Sequence, residues 1–132
     1  MSISKVISTQ SQVTSMEEKG YKKLIVWKKA DELAHKVYLA TKTFPKDELY
    51  GITSQLRRAT LSVPTNLVEG SARQGKAELR QFANIALGSL AETEYLLDFS
   101  LKLKYLSLQT HKELQDLCGE IGRLLWRFYK SC

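Results

Sequence analysis

Two histidines, His35 and His111, and two cysteines, Cys118 and Cys132, are the side chains of this 132-residue chain best suited to metal ligation or proton transfer. A structural zinc site needs Cys and His in close pairs, and no CxxC or H-x-x-x-H spacing brings these four together. Cys118 reads as a small apolar residue buried on a helix, and the histidines read as solvated or capping groups. Gly70, Ser71 and Gly75 lack the Lys-Ser/Thr pair that a phosphate loop carries after its second glycine. Glu92 and Glu94, two positions apart on a helix, diverge, and neither belongs to the Glu-x-x-His set of a bundle di-iron site. The residues therefore imply no catalytic centre, no metal and no cofactor.

Three polar constellations remain. Arg58, Ser62, Glu69 and Arg73, with Asn66 beside them, follow a near i, i+4 course along a segment that contains Pro64. They read either as a structural row that satisfies a backbone carbonyl released by the proline or as a ligand or nucleic-acid contact. Lys22, Lys29 and Lys36 recur every seven residues, which places them on one helical face. With Arg57 and Arg58 they form either a solvated face of ordinary Lys-Glu pairs or a surface that tracks phosphates with strong salt dependence. Arg123, Arg127 and Lys130 surround Trp126, which a helical wheel turns toward Gly119 and Gly122. Aromatic residues among arginines can stack bases, and an exposed Trp bordered by glycines suits a subunit contact, the stronger of the two readings.

The elements that must position these residues follow from the apolar pattern. Hydrophobic residues make up 43% of the chain and charged residues 26%, ordinary globular values that exclude a disulfide miniprotein. No apolar run approaches the ~18 to 20 residues of a membrane span, and the N-terminus lacks the apolar core of a secretory signal, so the expectation is a cytoplasmic protein. Residues 1–23, rich in Ser, Thr and Gln, read as a flexible leader, and 24–132 as one helical domain. Helices are expected over about Leu24–Thr43, Asp47–Ala72, Lys76–Lys104 and Thr110–Tyr129, with a kink near Pro64. They make an all-α, up-down-up-down four-helix bundle. The third helix carries a second apolar arc of Ile85, Leu96, Phe99 and Leu103, which with Trp126 is assigned to an oligomer interface. The net charge of +6 concentrates early: residues 1–46 hold +5, and the rest is nearly neutral.

The run from Leu49 to Ala59, then Ser62-Val63-Pro64 with Asn66, Glu69 and Gly70, then Ala86 with Gly88 to Glu92 and Glu94, resembles the bacterial four-helix bundle family. That family is named for proteins encoded in intervening sequences of 23S ribosomal RNA genes. Trp27, Ala30, Tyr38 and Phe44-Pro45 fit it as well, so the likeness covers about residues 24–130. It implies a left-handed bundle, often a ring-like homopentamer, with no established catalysis. A related branch, the accessory protein of diversity-generating retroelements, is a basic pentamer that binds nucleic acid and partners a reverse transcriptase. Two functions are thus expected: an oligomeric bundle that binds RNA or DNA, or a protein-protein scaffold without nucleic acid.

Overall fold

The computed structural model describes residues 20–132; the expected leader, up to residue 19, lies outside them. Within the described residues Gly20–Lys23 is not leader but a 3-10 turn that leads into the first helix, and Tyr21 sets its ring edge-on to Trp27 at 5.0 Å. Four helices follow: α1 (Ile25–Ala40), α2 (Ser54–Ala72), α3 (Lys76–Lys102) and α4 (Leu108–Ser131). Each bears an apolar stripe that must be covered. Covering is mutual, since α1 packs on α2, α2 on α3, α3 on α4 and α4 back on α1, the square arrangement of an antiparallel bundle. Leu33, Leu56, Leu67, Leu97, Ile121 and Leu125 fill its centre and are wholly buried.

The helix boundaries depart from the periodicity at one end. α1 stops at Ala40, and Thr41–Thr43 tightens into a 3-10 turn before Phe44 swings into extended geometry ahead of Pro45. The expected start of the second helix at Asp47 is instead a 3-10 turn, Lys46–Glu48, followed by a wide π-type turn, Leu49–Thr53. Gly51 breaks that turn at φ −110°, ψ −120°. Glu48 caps it, its Oε1 accepting from the Ile52 amide at 3.4 Å, and a Cβ on Gly51 would stand 2.6 Å from that same oxygen. A side chain at 51 would push the Glu48 carboxylate out of this capping position.

The α3–α4 connection meets this turn. Lys104 adopts a left-handed φ of 65°, and the amides of Lys104 and Tyr105 close back on Leu101 and Ser100, both at 2.9 Å. This carries the Tyr105 hydroxyl to Glu48 Oε2, to which it donates at 2.8 Å, while its ring packs on Phe44 at 5.3 Å. The carboxylate of Glu48 holds the Tyr105 phenol protonated to higher pH than an ordinary tyrosine.

At the other end α2 turns into α3 through Arg73–Gly75 alone, with Gly75 at φ 97°. α2 continues through the buried Pro64 to Ala72, the end expected from the sequence. Gly70 lies against α3 so closely that a Cβ there would sit 2.9 Å from Phe82 Cβ and 3.0 Å from Leu79 Cδ1. Higher up, the hydroxyls of Ser62 and Ser89 bridge the same two helices at 2.8 Å. Gly70→Ala should therefore force α2 and α3 apart and cost about 1–3 kcal/mol, outweighing the gain in helix propensity. A urea melt checks this, and an unchanged midpoint would contradict the close approach.

Candidate nucleic-acid interface

Each expected site residue now has a place. Lys22 lies in the turn before α1, so its seven-residue spacing to Lys29 no longer carries helical phase. Lys29 is half-buried at the seam with α4, where it pairs with Glu120 at 3.5 Å, and Lys36 pairs with Glu32 at 3.5 Å. The three lysines thus do not form one open row. Exposed pairs of this kind add little stability, on the order of 0–1 kcal/mol, yet they neutralise the local field.

Arg57 also departs from its expected role as a nucleic-acid contact. It is half-buried, donates from Nε to Thr41 Oγ1 at 2.8 Å and from its terminal nitrogen to the Tyr38 carbonyl at 3.4 Å, and stacks over the Tyr38 ring at 4.8 Å. The guanidinium therefore holds the carbonyl end of α1, where a cation suits the helix dipole. Arg58, its neighbour, is exposed and makes no ion pair among the described residues. Arg57→Ala should cost about 1–2 kcal/mol of stability and Arg58→Ala about 0–0.5 kcal/mol. Equal shifts in melting temperature for the two would remove this structural assignment.

The polar row divides in the same way. Asn66 Nδ2 donates to the Ser62 carbonyl and hydroxyl at 2.8 and 2.9 Å, and Ser62 reaches Ser89, so these two join α2 to α3. The ends of the row do not take part. Arg73 stacks over Phe82 at 5.0 Å, Glu69 and Arg58 are exposed, and the bonds above do not reach the carbonyl of Thr60, the one Pro64 releases.

The apolar arc on α3 needs one correction. Ile85, Phe99 and Leu103 are exposed, at 45%, 37% and 38%, but Leu96 is 6% exposed and belongs to the core. The wide turn before α2 occupies space that four plain cylinders would leave open, and Leu96 shares a groove with Gly51 and Ile52 of that turn. Tyr95, which the periodicity did not single out, is 63% exposed and stacks on Phe99 at 6.2 Å.

Folding also redistributes charge. The segments 20–32, 63–88 and 120–132 lie together in one half of the bundle, and they hold ten Lys and Arg against five Asp and Glu. The other half, 33–62 and 89–119, holds eight against seven. The excess read along the chain as an early +5 is in space a basic end built from all four helices. Its densest part joins the start of α3 to the end of α4. The Arg80 guanidinium lies over Tyr129 at 4.5 Å, Tyr129 stacks on Trp126 at 5.5 Å, and Lys130 Nζ stands 5.8 Å from the Trp126 ring centre. Arg123 and Arg127 are exposed beside it, and Trp126 itself is 51% exposed. Gly122 faces Leu90 of α3 and so belongs to the helix seam rather than to the patch around Trp126.

Cys118, Glu94 and Asp98 meet where α4 packs on α3. Cys118 is buried against α3, and burial, reinforced by Glu94 and Asp98, pushes its thiol up to about 12. Burial first, and then Asp98, likewise raises Glu94. Asp98 is tied to His111 Nε2 at 2.8 Å and to Gln115 at 2.9 Å. No group of three or more metal-ligating side chains occurs among the described residues.

An all-α antiparallel four-helix bundle with a basic, aromatic-bearing end is the class of protein this geometry defines. The chain belongs to the 23S rRNA-intervening sequence protein family, whose model matches residues 22–127. It is similar in structure to a protein of unknown function from the S23 ribosomal protein family of Bacteroides thetaiotaomicron, with a TM-score of 0.72 and 25% identity. That alignment covers 80% of this chain and 99% of the other. No curated protein matches the chain.

A thiol held so high stays protonated and inert. Its stabilising effect is full below the ordinary thiol pKa and is lost as pH rises beyond it, because the unfolded thiol ionises first. A disulfide reagent at about pH 8 should label Cys132, which is partly exposed, and reach Cys118 only in denaturant. Equal labelling of both in the native protein would contradict the packing of α4 on α3.

Proposed function

We propose that this protein is a non-enzymatic, self-associating bundle of the cytoplasm whose basic end binds nucleic-acid phosphates. The observation that carries the reading is the segregation of charge: one half of the bundle holds ten basic against five acidic residues. Phosphate tracking requires such a surface, because each neutralised phosphate releases condensed counterions. Arg123, Arg127, Lys76 and Lys22 are exposed there and are the residues expected to carry it, with Lys29 contributing less through its pairing with Glu120.

Self-association rests on the opposite half, where Tyr95, Phe99 and Leu103 of α3 line a groove with Ile52 and Gln55. Tyr50 stands beside them at 92% exposure. A cyclic assembly that covers this groove would leave the basic ends on one side, where several copies would multiply their hold on a polyanion. The family resemblance favours a ring of five. A reverse transcriptase is the partner that the retroelement branch of the resemblance suggests.

The test is affinity for a structured RNA across a salt series. Binding should weaken steeply as salt rises, and Arg123→Glu with Arg127→Glu should flatten the slope by roughly one per lost contact while circular dichroism stays unchanged. Absence of binding at low salt would overturn the reading. Recovery of a single protein partner from the native host, whether or not nuclease is added, would favour the scaffold instead.

A further inference from the structure

The basic end carries more than charge. A phosphate-tracking surface needs cations alone, and here the cations are laid onto aromatic rings. Arg80 covers Tyr129 at 4.5 Å, Tyr129 stacks on Trp126 with their planes 21° apart, and the Lys130 ammonium stands over Trp126 at 5.8 Å. The stack is rigid at one side, because Tyr129 is partly buried against the core. At the other side it is open, because Trp126 keeps half of its surface in solvent. A lysine at 5.8 Å from a ring centre is a weak cation–π partner and is easily displaced.

We propose that Trp126 is a stacking platform for a base of single-stranded nucleic acid, with Lys130, Arg127 and Arg80 holding the flanking phosphates. The inference rests on the nucleic-acid reading above and deepens it by naming the strand state. A base laid on Trp126 takes the place of the Lys130 ammonium, which then turns to a phosphate one bond away along the strand. Arg80 keeps its guanidinium face on Tyr129 and still presents its N–H edge to a second phosphate, since stacking uses the plane and not the donors. Duplexes are excluded as the preferred ligand because their base faces are already stacked inside the helix. A subunit contact at Trp126 fits less well, since interface centres are depleted in lysine and Lys130 crowns this ring.

The test uses the full chain and fluorescence anisotropy with labelled oligonucleotides of about 12 nucleotides, within the usual footprint of such sites. Oligo-dT, oligo-U, an abasic strand with the same number of phosphates, and a duplex are compared at low salt. Oligo-dT or oligo-U should bind about tenfold tighter than the abasic strand, a stacking increment of ordinary size. Oligo-dU set against oligo-U, which differ only in the 2′-hydroxyl, identifies DNA or RNA as the source. Trp126→Ala should abolish that preference, and Trp126→Phe should keep part of it. In a Trp27→Phe background, Trp126 emission should be quenched by the base-bearing strands and not by the abasic one. Equal binding of base-bearing and abasic strands overturns the platform and leaves phosphate binding standing, whereas no binding by any strand overturns both. A Trp126→Ala variant that changes assembly mass in light scattering without changing the preference assigns the ring to a subunit contact and also overturns the platform.

Discussion

The close approach of α2 and α3 is the constraint on which the rest of the bundle depends. A glycine at position 70 and a connection of only Arg73–Gly75 bring the two helices together, and Ser62 and Ser89 fix their mutual height at 2.8 Å. Height matters because α3 is the longest helix and faces three things at once. Its first turns meet the end of α4, its middle fills the core with Leu90 and Leu97, and its last turns meet the wide turn before α2. A shift of α3 by one residue would rotate it by about 100° and separate Arg80 from Tyr129. The geometry of the basic end is therefore inherited from packing some distance away.

The two ends of the bundle are built differently. Around Glu48 the chain is tied by side-chain hydrogen bonds: Glu48 to Ile52 and Tyr105, and Arg57 to Thr41 and Tyr38. Charges there are nearly balanced, and polar groups bond to the protein's own backbone and side chains. Rings cover cations at both ends, but at the opposite end the cations outnumber the acids and Arg123 and Arg127 are left toward solvent. The two ends thus differ in charge balance, and that difference is what the proposal of a ligand-binding end rests on.

Much of this was legible in the sequence, and the misses have definite causes. The stripes Val26–Val37 and Leu114–Phe128 gave the helices because burial follows an approximately 3.6-residue period. The turn at 49–53 is hidden in the sequence because Leu49, Ile52 and Leu56 keep a helical spacing, and the break shows only in the backbone angles of Gly51. Leu96 belongs to the core for the same reason, since the element that buries it is one that periodicity does not show. Residue type alone does not give the roles of Arg57 and Lys29, which depend on Thr41 and Glu120, far away in sequence. Charge summed by segment concealed the basic end, because the end gathers residues from all four helices. The clue that could have found it was topological: in an up-down-up-down bundle the start of one helix lies beside the finish of the next.

The family match and the solved relative bear on the fold and leave the ligand to the geometry of this chain. The central claim, that contact with nucleic acid belongs to the end holding α3's start and α4's finish, is tested most directly by photocrosslinking a bound strand and mapping the adducts by mass spectrometry. The account predicts crosslinks on peptides containing Arg80, Trp126 and Tyr129. Crosslinks confined to the Tyr38, Tyr50 and Arg58 surface would contradict it.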